Sequence, residues 1–295
     1  MINRTTIDKI DALAQRYKAL AAEKPHAIRE IAMAEIPEMV YNSNAIENST
    51  LTLQDTEDII LRDIVRKDQD IREVYEAKNL AKITESLLQN HGQKLTVPLI
   101  LTLHKILLTG ISDHWAGRLR GGKEWVRVGG HVGANPDFVF GLMDGLVSTY
   151  YTKDVYFLEN IAHFHAEFET IHPFNDGNGR LGRVLINQQL AELGYPPIII
   201  PNKGKRTSYY PAFDSYRVTG KYDDFVDLFA GLLIESLHRR ITLLTAARII
   251  PVAEWAKRTG IAGNSAANKA ARGTIPAFRM RGEWMIDAEY KEGEE

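Results

Sequence analysis

The chain has 295 residues, enough for one large domain or for two to three smaller ones with a sizeable core. Hydrophobic content of 44% and charged content of 25% are those of an ordinary soluble globular protein, and a net charge of −2 excludes a polycation built as a whole for nucleic acid or membrane. The absence of cysteine excludes disulfides and thiolate metal sites and suits a reducing compartment, so a cytoplasmic location is expected.

The first twenty residues, MINRTTIDKIDALAQRYKAL, carry charges throughout and hold no apolar signal core. No apolar run approaches the ~20 residues of a membrane span, so no membrane partner is expected. Thr5–Glu23 places Ile7, Ile10, Leu13 and Tyr17 at helical spacing behind a Thr cap. Ile71–Asn90 puts Val74, Ala77, Ala81 and Leu88 on one face, and His91-Gly92 stops it. Val97–Leu108, Asp154–Thr170, Arg180–Leu193 and Tyr222–Leu244 read as further helices, one of them ended by Gly194. The exception is Gly117–Gly141, dense in glycine, where Trp125-Val126-Arg127-Val128 precedes Gly129-Gly130. Two short strands around a glycine turn are the economical reading. Composition shifts near Pro251, where a basic segment of small residues begins.

Chemistry concentrates in HPFNDGNGRLGR, residues 172–183. Gly177 and Gly179 permit backbone angles closed to other residues, so successive N–H groups can converge into an anion-binding nest. The helix that follows turns its positive N-terminal end on the same spot. Arg180, Arg183 and Asn187 share one face of that helix, and two guanidiniums beside a nest suit a polyphosphate. Asp176 would repel such an anion unless a divalent cation bridged them, and Mg²⁺ is the usual choice. His172, with an ordinary pKa near ~6.5, is the natural general base for a hydroxyl attacking phosphorus. Pro173 is expected to hold His172 extended, and Phe174 to anchor the loop in the core.

These twelve residues resemble, without a departure, the signature of the Fic (filamentation-induced-by-cAMP) family, histidine-Pro-Phe-x-Asp/Glu-Gly-Asn-Gly-Arg-x-x-Arg. The similarity extends from about Leu99 to Leu237. It implies a mainly α fold: a Fic-type helical core with a β-hairpin flap. It also implies protein adenylyltransferase activity (AMPylation), in which AMP moves from ATP to a Ser, Thr or Tyr hydroxyl of a target protein and pyrophosphate leaves. The resemblance assigns deprotonation of the target hydroxyl to His172 and a Mg²⁺ or Mn²⁺ ion on the α/β-phosphates to Asp176. Asn178, with the backbone of Gly177 and Gly179, would cradle phosphate oxygens, and Asn175, at the variable position, groups with the nucleotide-binding residues. Arg180 would meet the β-phosphate and Arg183 the γ-phosphate. Phosphorylating relatives usually carry lysine where Gly179 stands, which favours AMP transfer.

Residues 43–48, SNAIEN, resemble the family's inhibitory motif, Ser/Thr-x-x-x-Glu-Gly/Asn, formed here by Ser43, Glu47 and Asn48. Ser43 and Glu47 share a face if the stretch is helical. The resemblance implies that Glu47 pairs with Arg183 and displaces the γ-phosphate, since one guanidinium cannot serve both. It leaves open that the same glutamate positions a water that removes AMP. Arg118–Pro136 is expected to be the flap, whose free edge would pair with an extended target segment. Val126 and Val128 would alternate with Trp125 and Arg127. Tyr209 and Tyr210, in KRTSYYPAF, resemble the residues that line the adenine pocket.

A rival reading takes HFHAEFETIH as metal ligands, with His163, His165, Glu167, Glu169 and His172 serving a hydrolase. His163 and His165 stand two apart on a helix and point to different faces, so packing or hydrogen bonding is the better account of both.

Pro251–Gly282 holds six Lys/Arg and one acid, Glu254. A helix (PVAEWAKRT), a turn, a second helix (NSAANKAAR) and two short strands about Arg281-Gly282 resemble the winged helix-turn-helix of excisionase-like and MerR-like proteins. DNA contact through residues 251–290, with Lys269 and Arg272 on the second helix and Arg279 and Arg281 on the wing, stands against a module for protein contact. The expected domains are therefore 1–95, N-terminal helices with the inhibitory segment 43–48; 96–245, the catalytic domain; and 246–295, a small winged-helix-like module. A homodimer is expected from the resemblance. The alternatives are a nucleotide-sensing DNA-binding regulator, the reverse removal of AMP, and a transferase using another nucleotide or phosphocholine.

Overall fold

The structure is a computed structural model describing residues 1–89 and 92–293. In chain order it begins with five helices: α1 (Arg4–Glu23), α2 (Pro25–Ile46), α3 (Leu53–Leu61), α4 (Ile71–Gln89) and α5 (Val97–Leu108). The hairpin β1 (Arg127–Val128) and β2 (His131–Val132) follows, then α6 (Val139–Thr152), α7 (Phe157–Ile171) and α8 (Asn178–Glu192). A π-helical turn at Lys205–Tyr209 leads into α9 (Tyr210–Thr219) and α10 (Asp223–Thr245). The last elements are β3 (Ile249–Pro251), α11 (Val252–Thr259), α12 (Gly263–Ala271), β4 (Phe278–Met280) and β5 (Glu283–Asp287).

Local chemistry sets these boundaries. Thr96 caps α5, accepting from the Leu99 N–H, and α5 runs over the residues expected of it. Thr52 and Asp55 form a reciprocal capping box at the start of α3. The cap of α1 is Asn3, whose side chain accepts from the Thr6 N–H, not the expected threonine. α7 starts at Phe157 rather than Asp154, because Val155 and Glu159 turn back on the carbonyls of Lys153 and Tyr156. The expected end of α4 at Asn90 and its stop at His91 lie outside the described residues. Helices α2, α3, α6 and α9 were absent from the sequence expectation. An internal Pro37 in α2 and Gly141 and Gly145 in α6 weaken their signal.

The chain folds as two compact units, one of Met1, 35–195 and 199–228, the other of 2–34, 196–198 and 229–295. This grouping cuts across the three sequential segments expected. In the first unit α8 packs against α4, α5 and α7 and is buried almost all round. Leu181, Val184, Leu185, Ile186 and Leu190 share that interior with Arg180, Arg183, Gln188 and Gln189. Two arginines inside a core demand partners or a ligand. α7 comes close to α8 at Gly182, where a Cβ would collide with Glu169 Oε1.

The hairpin is short and open. Arg127 pairs with Val132 and Val128 with His131 around Gly129-Gly130. Trp125 (58%) and Val128 (46%) are both exposed, so the expected alternation of buried and open faces is not seen. In the second unit β5 lies between β3 and β4 in an antiparallel sheet, and Ile250, Val252, Trp255, Ala266, Ala270, Ile275 and Ile286 form its core. Arg281 and Gly282, both at positive φ, make the β4–β5 turn. The two helices and two strands read from the sequence are present here, and β3 was not expected. Among the described residues no helix is long and apolar enough to cross a membrane.

Candidate active site

The signature loop is braced on every side. His172 ends α7 in the left-handed region (φ 51°), its N–H donating to the Phe168 carbonyl at 2.9 Å. The extended conformation expected from Pro173 is therefore not adopted: the helix C-cap decides the backbone there. The buried Arg120 donates to the carbonyls of His172 (2.7 Å), Ile171 (2.9 Å) and Ala134 (2.5 Å), tying loop to flap. Phe174 is buried and stacks on His104 at 3.7 Å. His104 Nδ1 accepts from the Gly117 N–H (3.0 Å), so its Nε2 donates to the Asp176 carbonyl (3.1 Å). Burial pushes that imidazole down to about 4, which keeps it neutral. Asn178 accepts from the Phe174 N–H (2.9 Å) and donates to the Phe174 carbonyl (2.8 Å). Its side chain thus holds the loop, and Asn178 lines the cavity beside it.

The helix start matches the anion logic in part. Gly177, at φ 78°, turns the chain into α8. Gly179 has no unusual backbone; its lack of a side chain serves space, because a Cβ would land on Glu47 Oε1 and 3.2 Å from Arg183 Nη1.

His172 lines the cavity with its ring hydrogen-bonded to the Glu169 backbone and Nδ1 3.6 Å from the Glu169 carboxylate. Nδ1 faces Glu169, which leaves Nε2 for the cavity. Burial pushes the imidazole down to about 4, so it is neutral at pH 7 and able to accept a proton. Burial also pushes the Glu169 carboxyl up to about 8, and its Oε1 has no hydrogen-bond partner.

Arg183, 6% exposed, is held by the segment 43–48 and by Tyr209. Its Nε donates to Ser43 Oγ (2.9 Å), and Nη2 donates to the Ser43 carbonyl (2.8 Å) and to Glu47 Oε1 (2.9 Å). Burial acts to raise the Glu47 carboxyl, but the guanidinium outweighs it and holds that carboxyl below the usual range. Ser43 sits in the last turn of α2, and Glu47 lies just beyond it. Lys205 closes that end, its Nζ donating to the carbonyls of Ala45 (2.8 Å) and Ile46 (3.0 Å) and to Asn48 Oδ1 (3.1 Å). Tyr210 donates its hydroxyl to the Ile46 carbonyl at 2.8 Å. The buried Tyr209 hydroxyl lies 2.9 Å from His165 Nε2 and is hydrogen-bonded to Arg183.

On the other side of the loop Asp176 and Arg180 meet α4. Arg72 Nη2 donates to Asp176 Oδ2 (2.5 Å), and Arg180 Nη2 reaches Asp176 Oδ1 (3.2 Å). Glu76 Oε1 lies 2.8 Å from Arg180 Nη1 and accepts from Arg72 Nε at 3.0 Å.

One cavity of about 570 Å³ is lined by His172, Glu47, Asn175, Asp176, Gly177, Asn178, Gly179, Arg180, Arg183, Tyr209 and Tyr210 together. Its size suits a nucleotide. Ser43 and Asn48 act one step behind the lining. Arg120, His104, Lys205, Arg72 and Glu76 were not singled out by the sequence, and Glu169 was named there only in the rival metal set; none of the six belongs to the signature motif. The rival metal set does not assemble, since among the described residues no group of three or more His, Asp or Glu could hold an ion. His165 is hydrogen-bonded to Tyr209, and His163 packs edge-on against Tyr222.

Comparison with known proteins adds a family. Residues 94–190 match the profile of the Fic/DOC family. "Protein adenylyltransferase Fic" of Drosophila persimilis is 31% identical over 209 residues, covering 68% of this chain and 41% of that protein. The Drosophila melanogaster protein of the same name is 30% identical over 209 residues, with 68% and 42% covered. The chain thus spans about two fifths of the length of these curated relatives. Among solved structures, a Fic domain containing signaling protein from Bacteroides thetaiotaomicron superposes with a TM-score of 0.71 at 27% identity, covering 80% of this chain and 96% of that one. Fic-1 from C. elegans (its residues 134–508) gives a TM-score of 0.65 at 27% identity, covering 81% and 74%. With His172, Arg183 and residues 175–180 of the signature lining one cavity and this fold around it, the chain belongs to the Fic/DOC family.

Proposed function

We propose that the protein is an adenylyltransferase that moves AMP from ATP to a Ser, Thr or Tyr hydroxyl of a target protein and is held back by its own Glu47. The observation that carries the reading is a neutral, buried imidazole at His172 facing the same cavity as Asp176, Arg180 and Arg183. The target oxygen attacks the α-phosphorus and a new P–O bond forms. The bond from that phosphorus to the bridging oxygen breaks, and pyrophosphate leaves with its electron pair. His172 Nε2 takes the hydroxyl proton. Arg180 and Arg183 would neutralise departing phosphate charge. Tyr209 and Tyr210 would face the base.

Asp176 offers one partly exposed carboxylate to the cavity, which fits a cation held mainly by phosphates. Mg²⁺ or Mn²⁺ bound there would screen the phosphate charge. Glu47, paired with Arg183, keeps that guanidinium from a γ-phosphate, so basal transfer is low. Removal of AMP by the same site would use Glu47 on a water. An intact His172 favours the transferase over a nucleotide sensor, since sensing needs no base.

For the C-terminal module a protein contact is favoured over DNA. Lys269, Arg279 and Arg258 are paired with Glu292, Glu235 and Glu254, which lowers the charge available to phosphates. A salt-dependent shift of a DNA probe by the full chain would reverse that preference. A cytoplasmic location and a homodimer complete the proposal; light scattering of the full chain tests the dimer.

The central test incubates wild type, Glu47→Gly and Glu47→Gly/His172→Ala with Mg²⁺ and α-labelled ATP, alone and in cell lysate. Label on proteins with Glu47→Gly, little with wild type and none with the double variant is expected. Equal labelling by all three, or none by any in lysate, would refute the reading.

A further inference from the structure

Arg72, Asp176, Arg180 and Glu76 form a closed ring of alternating charge, with ion-pair distances of 2.5, 3.2, 2.8 and 3.0 Å. Its members differ in what they can give up. Asp176 Oδ1 is committed to the Gly177 N–H (2.6 Å) and to Arg180, whose side chain is only 5% exposed. Asp176 Oδ2 is held by Arg72, whose side chain is 51% exposed and lies on the first turn of α4. A cation approaching this carboxylate must therefore take Oδ2, and Arg72 stands on it.

We propose that Arg72 is a positioning residue that occupies the cation-binding oxygen of Asp176 until a divalent cation arrives with nucleotide, and so sets how much cation the site requires. The inference rests on the reading of Asp176 given under the proposed function. Like charges so close repel, so cation and guanidinium exclude each other at Oδ2. Release of Arg72 strands no charge, because its Nε keeps Glu76. Arg180 loses nothing either, since Glu76 still reaches it. The arrangement differs from the Glu47 contact in sign and place: there a carboxylate holds a phosphate-binding cation, here a guanidinium holds a cation-binding carboxylate. The two restraints share no residue.

The test is a Mn²⁺ titration followed by the electron paramagnetic resonance signal of the free ion, at saturating non-hydrolysable ATP analogue. It uses the full chain carrying Glu47→Gly, with and without Arg72→Ala, and a third protein with Arg72→Lys. An exposed ion pair removed from Oδ2 should tighten Mn²⁺ binding roughly fivefold in Arg72→Ala, with Arg72→Lys between. Affinity for the analogue without cation should not change. Equal or weaker Mn²⁺ binding by a variant with an unaltered melting temperature would overturn the inference alone. Weaker cation-free binding of the analogue would overturn it as well, by making Arg72 a phosphate ligand. If no protein of the three retained Mn²⁺, the functional reading would fall and the inference with it.

Discussion

The signature loop and the flap sit side by side over one cavity and are built on opposite principles. In the loop nearly every polar group is spoken for: Arg120 on three carbonyls, Asn178 on Phe174, His104 between Gly117 and Asp176. The flap has two residues per strand, a glycine turn and exposed Trp125, Val128 and Val132. The chemical half of the site is thus pre-organised, while the half that would meet a target leaves a strand edge unpaired. A catalyst gains from fixed groups, because reorganisation at the moment of reaction raises the barrier. An edge that recognises extended chain gains from staying open, because main-chain pairing supplies the contact.

The sharpest way to break this contrast is to disturb the rigid side from behind. A Cβ on Gly182 would collide with Glu169 Oε1 and lie 3.2 Å from His165 Cε1, so Gly182→Ala must displace the buried Glu169 carboxyl behind His172 or crowd α7 against α8. Overpacking of this kind costs about 1–3 kcal/mol, and a lowered melting temperature with lost transfer is expected. A variant as stable as the parent would mean that the α7–α8 contact is looser than drawn. On the open side Val128→Pro removes a backbone donor from an exposed strand. Melting should hold within ~0.5 kcal/mol while labelling of targets in lysate falls on the order of tenfold. If stability fell instead, the flap would belong to the braced half.

A smaller effect should come from Lys205. Its ammonium caps the last carbonyls of α2 and holds Asn48, so it keeps Glu47 in reach of Arg183 without touching the cavity floor. Lys205→Ala should raise basal transfer by roughly two- to fivefold, the worth of one ordinary hydrogen bond, about 0.5–1 kcal/mol. No change would place the restraint entirely in Ser43, Glu47 and Arg183.

How much of this was legible in the sequence follows from how the information is carried. The loop and its helix were readable because nine specified residues stand within twelve positions, and local order reports local structure. The pairing of Glu47 with Arg183 was readable only through resemblance; 136 positions separate the partners and no spacing rule links them. Arg120, His104 and Lys205 were illegible for the same reason: each acts as a lone side chain on a backbone group far along the chain. Two expectations failed where a tertiary demand overrode a local rule. Pro173 favours an extended His172, but the C-cap of α7 takes it left-handed; Gly179 was read for its backbone, but serves to clear Glu47. The helical core showed through its apolar spacing, whereas α2 was hidden by Pro37 and the division into two units by contacts that sequence order does not display.

The smallest expected effect concerns pH, and it separates the base His172 from the acid Glu169 behind it. His172 acts as a base only when neutral. With its pKa pushed down to about 4, it is neutral throughout pH 5.5–7.5, so its own ionisation should give transfer by Glu47→Gly at saturating Mg²⁺ and ATP no slope there. An unperturbed imidazole would instead give a rise of roughly fourfold between pH 6 and pH 8. Glu169 behaves in the opposite sense: raised to about 8 by burial, it is protonated at neutral pH and ionises as pH climbs through that value. Arg183 and Arg217 favour its ionisation and Glu47 opposes it, so loss of Glu47 moves the transition down. Once ionised, the carboxylate 3.6 Å from His172 Nδ1 stabilises the imidazolium formed during transfer. A rise of about two- to threefold centred below pH 8, absent from Glu47→Gly/Glu169→Gln, is therefore expected, on the scale of general-base tuning by a neighbouring charge. A profile that rises with a midpoint near 6.5 in both proteins would show that His172 is as solvated as a free imidazole, and that the braced half of the site is more open than its hydrogen bonds imply.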